Sequence, residues 1–138
     1  MTITLDHVGI AVDDLPQVKK LFEILGLTPT GTEKVSEQGV QVHFLKPLVT
    51  ATNIELLQVE DPQGTVAKFI EKRGPGVHHL SFRVETGRLD SLTQELIKAG
   101  YKLIYPSPKM GAHQMRINFI HPSTTGGLLI EIMESAKP

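Results

Sequence analysis

The sequence predicts an α+β fold: two paired β-α-β-β-β modules that form a cupped mixed sheet around a cleft. Three observations lead there. The first half holds His7-Val-Gly-Ile-Ala-Val12, then a stretch of helical periodicity, then Ile54-Glu-Leu-Leu57. The second half repeats that order with His79-Leu-Ser-Phe-Arg-Val84, a second helical stretch and Ile130-Glu-Ile-Met133. Phe44-Leu-Lys-Pro47 then finds its counterpart in Phe119-Ile-His-Pro122, at nearly the same offset. One such module has an apolar sheet face that a single helix cannot cover. Pairing two of them buries more surface and leaves a cleft.

Each element has a local reason. Residues 2–12 alternate and are rich in β-branched types, as a half-buried strand requires. Asp13-Asp-Leu-Pro16 carries helix-start chemistry: an Asp can cap, and Pro tolerates the first turn because its missing N–H would be unpaired there. Leu15, Val18, Leu21, Phe22 and Leu25 recur at helical spacing, and Gly26 supplies a left-handed stop. Strands are expected at 38–45 and 53–59, with loops at 30–37 and 47–52. Asp61-Pro-Gln-Gly64 reads as a turn, and 65–72 as a short linking helix with Val66, Phe69 and Ile70 on one face. After Arg73-Gly-Pro-Gly76, residues 77–84 read as a strand. Leu89, Leu92, Leu96 and Ile97 mark a helix closed by Gly100. A short strand at 101–105 and strands at 116–120 and 128–133 complete the copy. The expected organisation is one domain over 1–138, with modules at about 2–60 and 77–135 and a linker at 61–76.

Composition narrows the chemistry. A net charge of −1 gives no global field for nucleic acid or an anionic membrane. The absence of cysteine excludes disulfides, thiolate metal sites and thiol nucleophiles, so any metal must be held by N and O ligands. No apolar run approaches the roughly 20 residues of a membrane helix. The first residues lead directly into a strand pattern without a basic, then apolar, leader, so a cytoplasmic protein is the expectation.

His7, Glu55, His79 and Glu131 hold equivalent places in the two copies. A carboxylate between Ile and Leu, or between two Ile, rarely enters an apolar strand without a partner. Two such Glu and two matched His suit Zn, Co, Ni, Fe or Mn. They would leave two adjacent positions of a six-coordinate ion open to water or to a substrate binding through two oxygens. His78 neighbours His79, but adjacent strand residues face opposite ways. The repeat selects His79 and leaves His78 at the surface or in a second layer. His43, His113 and His121 have no matched His, and His113 lies in the loop Lys109-Met-Gly-Ala-His113.

These motifs resemble the vicinal oxygen chelate superfamily, also called the glyoxalase superfamily. More narrowly, the chain is similar to the methylmalonyl-CoA epimerase family over almost its full length. The matching stretches are Asp6-His-Val-Gly-Ile-Ala-Val12, Glu37-Gln-Gly-Val40, Asn53-Ile-Glu-Leu-Leu57, Val66-Ala-Lys-Phe69 and Gly76-Val-His-His-Leu80. Further on are Lys109-Met-Gly-Ala-His113, Ile117-Asn-Phe-Ile-His-Pro122 and Gly126-Gly-Leu-Leu-Ile-Glu131. The strand motifs are superfamily-wide. The Glu-Gln-Gly-Val, Lys-x-Gly-Ala-His and Phe-x-His-Pro segments are more telling.

The resemblance implies interconversion of the C2 epimers of methylmalonyl-CoA, in propionyl-CoA metabolism. It implies metal binding at His7, His79 and Glu131, with Glu55 at a position that is Gln in some members. Cobalt is the metal most associated with the family, with Mn, Ni, Zn and Fe as alternatives, and a homodimer is expected. Epimerisation needs acid–base groups on opposite faces of a planar intermediate. Glu131 is the candidate for one face. For the other, some members use a Glu at the place of Val42, so Glu37, Glu55 and a metal-linked water stand as candidates here. Lys109, His113 and Arg116 are the candidates for contacts with the acyl-CoA, along with Lys102. A glyoxalase I-type lyase of glutathione thioesters shares the quartet, and a non-catalytic binding protein shares the fold. The Lys-x-Gly-Ala-His and Phe-x-His-Pro segments argue against the first, and the matched quartet against the second.

Overall fold

Each half of the chain folds as β-α-β-β-β. The computed structural model describes residues 2–136. They divide into two compact units, residues 7–78 and residues 2–6 with 79–136.

The first unit takes strand β1 (Ile3–Val12) from His7 onward. It continues with helix α1 (Leu15–Ile24), strands β2 (Thr28–Val35), β3 (Val40–Lys46) and β4 (Asn53–Val59), and helix α2 (Thr65–Arg73). Its strands are ordered β2-β3-β4-β1. β1 runs parallel to β4, and the other two pairings are antiparallel. Asp14 caps α1 by accepting the Gln17 N–H at 3.2 Å. The helix closes on Gly26, whose φ of +99° admits the paired bonds Leu27 N–H to Phe22 O and Gly26 N–H to Glu23 O. Strand residues Val12, Leu45 and Leu56 pack with Ile10, Ile54, Leu15, Val18, Phe22 and Leu27. α1 therefore covers one face of this sheet, and the odd-numbered residues of β1 and β4 occupy the other.

The second unit takes up β5 (Gly76–Val84) from His79. It adds helix α3 (Leu89–Lys98) and strands β6 (Lys109–Met110), β7 (Met115–Ile120) and β8 (Ile130–Ser135). Strand order is β5-β8-β7-β6, with β5 and β8 parallel. α3 ends as α1 does, with Tyr101 N–H to Leu96 O and Gly100 N–H to Ile97 O. Val84, Leu89, Ile120 and Ile132 pack with Leu92, Leu96, Leu103 and Ile130 beneath α3. Met115, Ile117, Phe119 and Met133 form a separate cluster on the opposite face with Tyr105 and Leu129.

Four expected elements are corrected. The segment 30–37, expected as a loop, is mostly β2, paired with β3 from Thr28↔Lys46 to Val35↔Val40. It is an edge strand, exposed along most of its length, with Pro29 and a bulge before Gly31, so it lacks apolar alternation. The strand expected from 38 begins at Val40, because Ser36–Gln38 form a 3-10 turn. No strand occupies 101–105. Leu103 makes a single bridge to Ile120, and the edge strand is Lys109–Met110, beyond the two prolines of Pro106-Ser-Pro108. The last strand is Ile130–Ser135 rather than 128–133, since Gly126 and Gly127 hold positive φ before it.

The Glu37-Gln-Gly-Val40 motif has a backbone reason. The Gly39 carbonyl accepts both the Glu60 and Asp61 N–H groups, at 2.9 and 3.1 Å. Gly39 has φ +66°, and a Cβ there would stand 2.9 Å from Asp61 Cβ and 3.2 Å from Gly64 Cα. The motif thus pins the turn before β3 to the Asp61-Pro-Gln-Gly64 turn.

Candidate active site

In the first unit the β1–β4 register sets Gly9 opposite Glu55, two residues past His7. In the second, the β5–β8 register sets Ser81 opposite Glu131, two residues past His79. The third strand keeps the same order: Phe44 stands opposite Glu55, and Phe119 opposite Glu131. Residues two apart on a strand share a face. Each His therefore shares a face with its Glu, away from α1 in the first unit and α3 in the second.

The side chains follow. His7 Nδ1 lies 3.0 Å from Glu55 Oε2, and His79 Nε2 lies 3.8 Å from Glu131 Oε1. All four residues are buried, at 4–6% exposure. Phe119 packs edge-on to His79, with centroids 5.9 Å apart. Ser81, fully buried, donates its hydroxyl to Met133 Sδ at 3.0 Å. Burial of ionisable groups among Phe, Met and Leu is costly unless they are partnered. Each pair offers an imidazole nitrogen and a carboxylate oxygen, a donor set suited to a divalent ion. The residues present fit such a group.

The other candidates are not drawn together in this way. Glu37 is exposed in the 3-10 turn before β3. Lys109 places its ammonium 4.7 Å from the centre of the Tyr105 ring. His113 is exposed in a 3-10 turn with φ 56°, in the left-handed region. Arg116 bonds Glu134 and also Asp90, the latter at 3.0 Å. The Asp90 hydrogen bond, with Glu134 beside it, raises the guanidinium pKa above its usual value against the opposing effect of burial. His78 is not at the surface: it is buried, with the Phe69 ring of α2 edge-on at 4.9 Å. His43 Nε2 meets Gln58 Oε1 at 2.9 Å on the helix side of the first sheet.

Two residues escape a reading by repeats. Glu134 is buried and accepts the Gly87 and Leu89 N–H groups at 2.9 Å each, capping α3 from β8. Its clue is parity: three residues past Glu131, it must face the helix side. Asn53 is the other. It stands opposite His7 and two residues before Glu55, and its Oδ1 is buried without a hydrogen bond.

A family model of the glyoxalase/bleomycin resistance protein/dioxygenase superfamily matches residues 6–119. The chain belongs to this superfamily. Within the superfamily, it is 32% identical over 131 residues to the ethylmalonyl-CoA/methylmalonyl-CoA epimerase of Cereibacter sphaeroides, covering 93% of this chain and 95% of the relative. The crystal structure of methylmalonyl-CoA epimerase from Mycobacterium tuberculosis matches 96% of this chain and 87% of its own, with 39% identity and a TM-score of 0.89. A Streptomyces coelicolor methylmalonyl-CoA epimerase variant in complex with 2-nitronate-propionyl-CoA matches at 32% identity and a TM-score of 0.87, covering 98% and 99% of the two chains. The α+β fold expected from the repeat is the fold found, and it is the glyoxalase fold that the resemblance implied.

Proposed function

We propose that this protein interconverts the two C2 epimers of methylmalonyl-CoA by proton abstraction through an enolate. The observation that carries the reading is the buried His–Glu pair repeated in the same register in both units, in a chain 32% identical over 93% of its length to a relative named as an epimerase of this substrate.

The C2 proton lies between a thioester and a carboxylate, and its removal puts negative charge on the thioester oxygen. His7, Glu55, His79 and Glu131 would hold one divalent metal ion. Such an ion, when bound, supplies Lewis-acid stabilisation of that developing charge. Cobalt is the metal of this reading, with Mn, Ni, Zn and Fe as alternatives. Glu131 is the base for one face: its carboxylate is buried beside His79, on the face lined by Phe119 and Met133. Loss of water around it strengthens its interaction with the proton it takes. Glu37 serves the opposite face in this reading, on its motif alone. Lys109 and His113 are assigned to the acyl-CoA. Arg116 is tied to Glu134 and Asp90 and is better read as a support of α3. The reading includes a cytoplasmic homodimer.

The test is deuterium exchange. Metal-loaded protein in D2O should exchange the C2 proton of methylmalonyl-CoA, followed by NMR. Absence of exchange, with turnover of the glutathione hemithioacetal of methylglyoxal instead, would transfer the protein to glyoxalase I chemistry.

A further inference from the structure

The duplicated site is symmetric in its His and Glu residues, but the substrate is not: it carries a free carboxylate on one side of C2 and a thioester on the other. Something in the chain must tell the two sides apart. Asn53 breaks the symmetry. It stands opposite His7 in the β1–β4 register and two residues before Glu55, so it shares their face. Its counterpart two residues before Glu131 is Leu129, which packs with Met115, Ile117, Phe119 and Met133. One module thus has an amide where the other has an aliphatic side chain.

The amide is also incomplete. Asn53 Oδ1 is buried and makes no hydrogen bond, although buried side-chain polar atoms normally have one. A half-turn about χ2 exchanges Oδ1 for Nδ2 without changing the shape, so this buried end can present a donor as readily as an acceptor. A buried amide oxygen without a partner, on the same face as a His–Glu pair, is a costly feature to keep unless a ligand completes that end.

Resting on the epimerase reading, we infer that Asn53 is the residue that binds the substrate's free carboxylate, donating from Nδ2. The carboxylate keeps its charge through proton abstraction. The bond is then equally strong in the ground and transition states and acts on KM rather than kcat.

The experiment uses the metal-loaded full chain and two variants, Asn53→Leu, which copies Leu129, and Asn53→Asp, which sets a carboxylate against a carboxylate. Wild-type exchange at C2 is measured first. Asn53→Leu is expected to raise KM for methylmalonyl-CoA about tenfold or more, the range of a hydrogen bond to a charged group, with kcat within about twofold. Asn53→Asp should raise KM further. Affinity for propionyl-CoA, which lacks the free carboxylate, and metal content by elemental analysis should match wild type in both. Wild-type KM in the variants, or equal weakening of both ligands, overturns the role of Asn53 while leaving the reaction standing. Absence of exchange by the wild type overturns the reaction itself.

Discussion

His79 and Glu131 meet on one buried face of the second unit, Nε2 to Oε1 at 3.8 Å, as His7 and Glu55 meet at 3.0 Å in the first. Both contacts follow from one register rule: the Glu pairs with the residue two past the His.

His79→Ala removes one of the four proposed nitrogen and oxygen donors. Bound metal should fall at least tenfold by elemental analysis after dialysis, the scale seen for loss of groups that support a metal site. The apo variant should keep its far-ultraviolet dichroism, because truncating His79 leaves the strand ladder intact. Full metal retention would remove His79 from the site.

Glu131→Gln keeps size and one potential oxygen ligand but cannot take a proton. C2 exchange should slow by about 10²–10⁴, the range of general-base catalysis. Near-normal turnover with normal metal content would end its role as the base.

Glu134→Ala strips three hydrogen bonds at once: two backbone N–H groups at the start of α3 and the Arg116 guanidinium. Glu134 is 2% exposed and Leu89 is fully buried, so the Leu89 N–H is left poorly hydrated, whereas Gly87 and the Arg116 guanidinium reach water. A loss of about 2–4 kcal/mol is expected from denaturant midpoints, with metal binding unchanged. Arg88, at the N-cap of α3, makes no side-chain capping bond that would replace it.

Gly39→Ala places a methyl 2.9 Å from Asp61 Cβ at a φ of +66°. Both effects oppose folding, and together they should cost about 1–3 kcal/mol. A midpoint unchanged in urea would show that the turn can open without loss.

Much of this was legible from periodicity. β1, α1, β4, α2, β5 and α3 are long or strongly patterned, and their caps, Asp14 and the glycines at 26 and 100, stand in the sequence as plain local chemistry. The edge strands were not legible. β2 is exposed on both sides and interrupted by Pro29 and Gly31, so burial imposed no alternation on it. β6 is two residues long, held by Asn118, which donates from its amide to Tyr105 O and accepts from Tyr105 N–H to anchor the preceding loop. The same limit applies to His78, whose neighbour Phe69 comes from a helix that strand parity says nothing about.

The sequence by itself determined the duplication, the fold class and the equivalence of His7 with His79 and of Glu55 with Glu131, because repeats and strand parity are local properties of the chain. Tertiary structure decided which polar residues are already satisfied. It tied Arg116 to Glu134 and Asp90, turned Glu134 into the cap of α3, and left the buried oxygen of Asn53 without a bond. Hydrogen-bond satisfaction depends on which atoms meet across strands far apart in the chain, and no spacing rule within one segment encodes that.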